Sequence, residues 1–261
     1  MSITAVQCIR AGDSGKGKIN GLLGHPDNCE VGGRGFGGHG AGYRQFVEGK
    51  ELKLSVVPVT TAYKGLPSVI GRGMYVHVPT LIDSNIQQIR NVMGHDPVPQ
   101  LTIDGRAHIV FDGHPMADAK REGANATFGS TKNGMSQVAS DKYAKVGKRM
   151  EWLLKDKATI KDEYAAHVAA LEARFGIKMT DEQKDQELSR FLEAKEMLGG
   201  NIKDGKYMRG MWRNYLEKDA RILGQAVQGS RLSINSDGYP GGVTSSSTTV
   251  AGLLDGLGLP A

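Results

Sequence analysis

The stretch GDSGKGK at residues 12–18 decides how this chain begins to fold, because it directly follows the strand-like run ITAVQCI at residues 3–9. Three glycines within six residues let the backbone turn tightly and bring its N–H groups close to an anion. Lys16 and Lys18 add positive charge, and a helix that starts here directs its N-terminal dipole at the same point. The pattern therefore predicts a strand, a phosphate-binding loop and a helix.

This loop differs from a Walker A motif. The pattern G-x-x-x-x-G-K-[ST] requires a glycine five positions before Gly15, where the chain has Arg10, and a hydroxyl residue after the lysine, where it has Gly17. The carboxylate of Asp13 would repel a phosphate unless it holds a metal ion or takes up a proton, so it indicates a chemical role. The alternative interpretation is a glycine-rich turn between strand and helix with solvated lysines.

A second glycine cluster, GGRGFGGHGAGYR, follows at residues 32–44. Its seven glycines predict neither helix nor strand, but backbone wrapped closely around a ligand. Taken together, GDSGKGK and GGHGAG at residues 37–42 resemble the adenylosuccinate synthetases, whose usual forms are G-D-E-G-K-G-K and G-G-[HN]-N-A-G-H-T. The resemblance predicts a single adenylosuccinate synthetase-like domain over residues 1–261.

Four later segments keep the order of that family's motifs. Residues 70–73 resemble its I-G-N-G turn, and residues 108–122 resemble its A-H-L-I-L-x-Y-H-x-x-L-D-x-x-R-E stretch. Residues 129–145 resemble G-T-T-x-x-G-I-G-P-x-Y-x-D-K-x-x-R, and residues 228–249 resemble Q-G-x-x-L-D-x-x-x-G-x-Y-P-x-V-T-S-S-N-T-T. Six collinear matches span nearly the whole chain, and chance does not explain their order.

The resemblance implies a ligase that joins L-aspartate to carbon 6 of a 6-oxopurine nucleotide. The γ-phosphoryl of a nucleoside triphosphate moves to the C6 oxygen, and the amine of aspartate then displaces phosphate. Phosphoryl transfer depends mostly on positioning and charge neutralisation. By resemblance, Asp13 removes the proton of purine N1 and touches Mg²⁺, Lys16 stabilises the transferring phosphoryl, and the carbonyl of Gly42 completes the metal shell.

The resemblance also implies two nucleotide sites and a homodimer. The residues implied for the triphosphate are Gly12, Ser14, Gly15, Lys16, Gly17, Lys18 and Gly42. Those implied for the purine monophosphate are Asp13, Ser14, Gly40, Ala41, Ser130, Thr131, Lys145, Gln228 and Thr244. Lys145 matches an arginine that reaches the site of the partner subunit, which implies a twofold dimer.

Several positions depart from the family pattern. Ser14 replaces the usual glutamate and Gly40 the usual asparagine, while Tyr43 stands where the family has its general-acid histidine. A free phenol has a pKa of about 10 and is a weak acid near neutrality, so His39 is a second candidate for that catalytic role. Lys145 keeps the charge of the arginine but loses its bidentate geometry.

The smaller side chains at Ser14 and Gly40 predict room for a 2-amino group. We therefore expect dGMP as the substrate, as in the bacteriophage 2-aminoadenylosuccinate synthetases. An ordinary adenylosuccinate synthetase that uses IMP and GTP is the alternative, and a purine-nucleotide-binding protein without catalysis is an alternative of another class. The sequence ends at Ala261, before the family's usual segments for aspartate and the triphosphate base, so it identifies neither the aspartate-binding residues nor the donor.

Composition agrees with a nucleotide-binding enzyme. The chain has 261 residues, a formal net charge of +5 and 36 glycines, about twice the usual share. Its two cysteines give no disulfide framework, and its dispersed lysines and arginines predict no nucleic-acid partner. It contains no apolar run of about 18 residues, and Met1 and Ser2 lead directly into the strand-like run. We therefore predict no membrane span and a cytoplasmic location (the host cytoplasm if the protein is viral).

The remaining pattern predicts an α/β fold with a central, mostly parallel sheet and flanking helices. Strand-like runs recur at residues 55–59, 74–78 and 107–111, and apolar residues at helical spacing predict a helix over 80–93. Residues 145–223 are rich in lysine, glutamate, alanine and leucine and predict a helical insertion in the second half, in which Gly176 ends one helix and a capping box at Thr180 and Gln183 opens the next. The chain then returns to the sheet through a loop-rich segment and a hydroxyl cluster at 244–249.

Overall fold

The computed structural model describes residues 2–124 and 130–260, and within them it has ten β-strands and eight α-helices. The strands are β1 (Ser2–Val6), β2 (Val31–Arg34), β3 (Tyr43–Val47), β4 (Lys50–Leu54), β5 (Ser68–Ile70), β6 (Tyr75–His77), β7 (Leu101–Asp104), β8 (His108–Val110), β9 (Ile202–Lys203) and β10 (Arg221–Gln225). The helices are α1 (Lys16–Leu23), α2 (Gln87–Met93), α3 (Gly113–Ala124), α4 (Met135–Tyr143), α5 (Lys157–Phe175), α6 (Asp181–Leu198), α7 (Gly205–Glu217) and α8 (Val250–Leu257).

A six-stranded parallel sheet in the order β1-β10-β2-β5-β7-β9 confirms the predicted α/β fold. Val6 of β1 pairs with Gln225, Gln225 pairs with Arg34, and Arg34 pairs with Ile70. Four neighbouring strands therefore end at the same level. The loops that leave these carboxyl ends meet at one edge of the sheet, which is where open α/β sheets bind ligands.

The helices of the second half lie where the sequence predicts them. Helix α5 ends at Gly176, whose φ of 62° is the left-handed conformation expected of a glycine C-cap. Helix α6 opens with a complete capping box, in which the Thr180 side chain accepts from the Gln183 backbone and the Gln183 side chain accepts from the Thr180 backbone. A π-helical turn over Thr80–Ile86 leads into α2, so helical structure covers residues 80–93 as predicted.

The helical insertion packs through an aromatic cluster around Phe111, which follows β8 of the separate two-stranded parallel sheet β6-β8. Its ring lies 6.0 Å from that of Trp152, 6.2 Å from that of Tyr164 and 5.1 Å from that of Phe191, centroid to centroid. All four side chains are almost completely buried. Contacts of this kind add to the free energy of burial, and here they attach α5 and α6 to the segment that follows β8.

The strand predicted over residues 55–59 is wrong. Strand β4 ends at Leu54, and Val59 begins a short 3₁₀ helix, Val59–Ala62. The backbone N–H groups of Ser55 and Val56 donate to the side-chain oxygen of Asn85, at 2.8 and 3.1 Å, instead of to a neighbouring strand. A distant side chain thus replaces the strand partner that the apolar composition suggests.

The expectation that residues 32–44 contain no strand is also wrong. Gly32 and Gly33 lie inside β2, between β10 and β5, and Tyr43 begins β3. A Cβ on Gly33 would lie 2.6 Å from a methyl carbon of Leu257, so these glycines admit close packing on the sheet. Only the middle of the cluster forms the loop that the sequence predicts.

Helix α8 was not predicted from the hydroxyl-rich segment that precedes it. The Thr249 side chain accepts from the backbone of Gly252 at 3.1 Å and forms the N-cap of this helix, so the cluster at 244–249 is in part a capping signal. Leu253 and Leu257 of α8 are buried against the sheet. Among the described residues, no helix combines the length and the apolar character needed to cross a membrane.

Candidate nucleotide-binding site

The predicted phosphate loop leaves β1 at Val6 and enters α1 at Lys16. Three of its residues have positive φ angles: 103° at Gly12, 47° at Asp13 and 75° at Gly15. Glycine adopts this conformation freely, whereas aspartate adopts it at a cost of about 1–2 kcal/mol. The turn places Lys16 in the first turn of α1, where backbone N–H groups and the helix dipole favour an anion.

The loop forms one wall of a cleft of about 880 Å³ at the carboxyl edge of the sheet. The other walls come from the glycine loop after β2, the segment before α4 and the segment after β10. The predicted site residues that line this cleft are Gly12, Asp13, Ser14, Gly15, Lys16, Gly17, Lys18, Gly40, Ala41, Gly42, Tyr43, Ser130, Thr131, Gln228 and Thr244. Such a volume is typical of a ligand pocket.

Gln228 connects the phosphate loop to the returning C-terminal segment. Its side-chain nitrogen donates to the Thr244 hydroxyl at 3.1 Å, and its side-chain oxygen is buried without a hydrogen-bond partner among the described residues. A Cβ on Gly12 would lie 3.5 Å from the Gln228 backbone, so the two turns are in direct contact. Residues from both ends of the chain therefore face one ligand volume.

Asp118 of α3 holds the segment that carries Ser130 and Thr131. Its buried carboxylate accepts from the Ser130 hydroxyl at 2.7 Å and from the backbone N–H of Gly134 at 3.0 Å. These bonds connect α3 to the start of α4. The sequence shows Asp118 only as one position of a resembling motif, because its partners lie in another segment. Gly129, which opens that matched segment, lies outside the described residues.

The two lysines of the phosphate loop keep their charges available to a ligand. Lys16 and Lys18 line the cleft, and neither has a carboxylate within 4 Å in the described part of the chain. Arg44, which also lines the cleft, is paired with Glu51 at 2.8 Å. The unpaired ammonium groups favour an anionic ligand such as a nucleotide phosphate.

Asp13 and Gly42 provide the predicted donors for Mg²⁺. Both residues line the cleft, and a carboxylate and a backbone carbonyl are hard oxygen donors that suit this ion. Residues 2–124 and 130–260 contain no group of three His, Cys, Asp or Glu side chains placed to hold a metal. Mg²⁺ is usually held by one or two carboxylates together with substrate phosphates, so the donors present fit it.

Neither candidate for the general acid has the properties of a proton donor. His39 is not among the residues that line the cleft; its ring stacks on that of His77 with 4.5 Å between centroids. Burial lowers the pKa of His39 to about 4, so its imidazole is neutral near pH 7. The Tyr43 hydroxyl donates to the carbonyl of Val57 at 2.8 Å, and burial raises its pKa. The catalytic roles of both residues stay predictions that this geometry weighs against.

The space that Gly40 was expected to leave open is occupied. A Cβ on Gly40 would lie 2.5 Å from the side-chain nitrogen of Asn133, which itself donates to the Thr131 carbonyl at 3.0 Å. The carboxamide of Asn133 thus lies beside the position where the family usually has an asparagine. The sequence carries no local signal for this contact, because the two residues belong to separate loops.

Ser14 keeps a hydroxyl at the cleft, but that group already has partners. It hydrogen-bonds the Cys8 thiol, whose pKa it lowers, and it lies 3.5 Å from the Lys16 ammonium. The backbone N–H of Arg10 also donates to the Cys8 sulfur, at 3.3 Å. Cys8 therefore packs directly against the phosphate loop.

Lys145 is not among the residues that line the cleft of its own chain. It follows the C-terminus of α4 with a φ of 61°. Its neighbours Tyr143 and Val146 are 78% and 55% exposed. This placement agrees with the expectation of a side chain that serves another subunit.

Comparison with known proteins identifies the family. The model of the family described as adenylosuccinate synthetase matches residues 5–261. The chain belongs to the adenylosuccinate synthetase family. The adenylosuccinate synthetase of Plasmodium vivax (strain Salvador I) is 31% identical over 262 residues, and that of Drosophila willistoni is 31% identical over 252 residues. These alignments cover 99% and 95% of this chain but 57% and 54% of the relatives, so the chain spans little more than half of their length.

Two solved structures of the same architecture extend the comparison. The structure of the fully ligated adenylosuccinate synthetase from Plasmodium falciparum is 29% identical, with a TM-score of 0.88 over 99% of this chain and 58% of that one. The cyanophage S-2L succinoaminodeoxyadenylate synthetase bound to dGMP and dATP is 19% identical. Its TM-score is 0.64 over 99% of this chain and 60% of that one. The second likeness shows the fold alone, so membership of the phage group is not established.

Proposed function

We propose that this chain carries the nucleotide-binding site of a carbon–nitrogen ligase that joins L-aspartate to carbon 6 of a 6-oxopurine nucleoside monophosphate. A nucleoside triphosphate supplies the phosphoryl group. The observation that carries the proposal is that Asp13 and Lys16 line the same cleft as Thr131, Gln228 and Thr244. A carboxylate and a free ammonium group thus face the residues expected to hold the monophosphate.

The proposed mechanism uses these groups in sequence. The Asp13 carboxylate accepts the N1 proton of the purine, which makes the C6 oxygen nucleophilic. That oxygen attacks the γ-phosphorus of the nucleoside triphosphate, and the nucleoside diphosphate leaves. The Lys16 ammonium stabilises the charge on the transferring phosphoryl. The aspartate amine then attacks C6, the bond between C6 and the phosphorylated oxygen breaks, inorganic phosphate leaves, and the amine loses a proton to solvent. Mg²⁺ held by Asp13 and the Gly42 carbonyl supplies further neutralisation of phosphate charge when bound.

IMP is the substrate that the described residues support best. The room that Gly40 was expected to provide for a 2-amino group is taken by Asn133, and the relatives near 30% identity are adenylosuccinate synthetases by name. A second candidate, dGMP, is favoured by one observation: the Ser14 hydroxyl lies at the cleft and can accept from an amino group.

A phosphate-release assay on the full-length protein tests the reaction and the substrate together. L-aspartate is combined with ATP, GTP or dATP, and each mixture is offered IMP, GMP, dGMP and dAMP. We expect aspartate-dependent release with IMP, and a kcat/KM for dGMP lower by about 10- to 100-fold, because a buried amino group without an acceptor is costly. A preference for dGMP would establish the second candidate. Nucleotide binding without aspartate-dependent release contradicts the ligase.

We further propose a twofold homodimer in which Lys145 enters the partner's cleft. Its position outside its own cleft and the exposed Tyr143 and Val146 beside it support this arrangement. Lys145→Ala and Asp13→Asn should each lack activity, whereas mixing the two under conditions that exchange subunits should restore part of it. In the mixed dimer one cleft keeps both Asp13 and the partner's lysine.

Phosphate release measures the activity of the mixture, and light scattering measures the mass of the protein assembly. As the control, each variant is taken alone through the same subunit-exchange conditions, and its activity should not be restored. An active protein that stays monomeric at assay concentration would exclude the dimer. Equal activity before and after mixing would exclude a shared site.

A further inference from the structure

Arg34 is the final residue of β2, and the glycine loop that forms one wall of the cleft begins directly after it. Its side chain is completely buried, with 0% of its surface exposed. One guanidinium nitrogen, Nη2, donates to the carbonyl of Ala41 at 2.9 Å. The Nε and Nη1 atoms are buried and have no hydrogen-bond partner among the described residues.

The guanidinium also lacks a counter-ion. No carboxylate lies within 4 Å of it in residues 2–124 and 130–260, and the centroid of the Tyr43 ring lies 5.7 Å from the guanidinium carbon. Burial lowers the pKa of Arg34 to about 10, which still leaves the group charged near pH 7. A buried, unpaired cation destabilises the free protein.

The position of this charge relative to the cleft indicates what compensates it. Ala41, Gly42 and Tyr43 line the cleft, and Arg34 lies behind them, in contact with the Ala41 carbonyl and the Tyr43 ring. A charge in a low-dielectric interior acts over a longer distance than one in water. The anionic groups of a nucleotide in the cleft would therefore be attracted across the loop.

We propose that Arg34 is a positioning residue for the nucleotide, whose negative charge balances the buried guanidinium. The side chain does not touch the ligand. It fixes the loop through the Ala41 carbonyl, next to the Gly42 carbonyl, and it adds a positive potential to the cleft. The inference rests on the proposed function, because it requires an anionic nucleotide in this cleft.

The test compares stability and binding in two arginine variants of the full-length protein. Arg34→Met removes the charge and keeps an apolar side chain of similar length. We expect the melting temperature of the free protein to stay the same or rise, and the affinity for IMP to fall by at least about tenfold, as measured by calorimetry. Inosine, which has no phosphate, should lose much less affinity.

Arg106 gives a matched control. Its guanidinium makes two hydrogen bonds, of 2.9 and 2.7 Å, to the buried Asp104, and neither residue is among those that line the cleft. Arg106→Met leaves Asp104 unpaired, so it should lower the melting temperature and leave IMP affinity unchanged. Arg34→Met is thus expected to weaken IMP binding without loss of stability, and Arg106→Met to lower stability without loss of IMP binding.

Arg34→Lys keeps the charge without the planar guanidinium and covers the case in which Arg34→Met does not fold. It should retain most of the IMP affinity and its dependence on the phosphate. A lower melting temperature in Arg34→Met with IMP affinity within about twofold of wild type would show a purely structural residue and overturn the proposal. A folded Arg34→Lys that binds IMP no better than inosine would also overturn it. Wild-type protein that binds no nucleotide contradicts the proposed function itself.

Discussion

Asp13→Asn is expected to lower turnover of the full-length protein by at least about 10²-fold while nucleotide still binds. The change removes the base and a metal ligand but preserves the size of the side chain. Asparagine tolerates the left-handed backbone conformation that Asp13 adopts, with a φ of 47°, so the loop should keep its shape. The measurement is aspartate-dependent phosphate release, with IMP affinity determined on the same preparation.

Asp27→Asn is the control for this change. Asp27 follows α1, its side chain is 86% exposed, and it is not among the residues that line the cleft. The variant should keep wild-type turnover, because it removes an equivalent charge outside the cleft. Turnover of Asp13→Asn within a few-fold of wild type would remove Asp13 from the mechanism.

Gly229→Ala is expected to lower the free energy of unfolding by at least about 3 kcal/mol, the upper end of the usual cost of overpacking. The φ of Gly229 is −145°, which any residue adopts, so strain is not the cause. An added Cβ would instead overlap the carbonyl oxygen of Arg10. Since the Ser230 N–H donates to the Cys8 carbonyl at 2.8 Å, the clash separates the phosphate loop from the Gln228 turn.

Urea unfolding and IMP binding measure this effect, and both should be impaired. Gly210→Ala in α7 is the matched control, because an added Cβ there meets no atom within 4 Å. Alanine is a better helix former than glycine, so the free energy of unfolding of this variant should rise by up to about 1 kcal/mol. Its affinity for IMP should be that of the wild type. Equal stability of the two variants would show that Gly229 is not packed as described.

Local features of the fold could be predicted because neighbouring residues produce them. The capping box at Thr180 and Gln183, the C-cap at Gly176 and the glycine-rich turn before Lys16 depend on hydrogen bonds and φ angles within a few residues. The strand predicted over residues 55–59 failed for the opposite reason. Its backbone N–H groups donate to Asn85, a side chain from a distant segment.

The residues of the site could be named from motifs, but their accessibility and acidity could not. The motifs name Tyr43, at the position of the family's general-acid histidine, and His39 as the candidate proton donors. Their surroundings decide otherwise, because burial lowers the pKa of His39 and raises that of Tyr43. The room expected at Gly40 likewise depends on Asn133, a residue of another loop.

By itself, the sequence of this protein indicated the family, through the resemblance of six collinear motifs, and the α/β fold class, and it predicted a phosphate loop with Asp13 and Lys16 from residue types at short spacing. Only the tertiary structure decided that β10 lies between β1 and β2, which brings Gln228 against Gly12. It also decided that Arg34 is buried without a counter-ion. Such features depend on which distant segments meet and on how much water they exclude, and no local pattern records either.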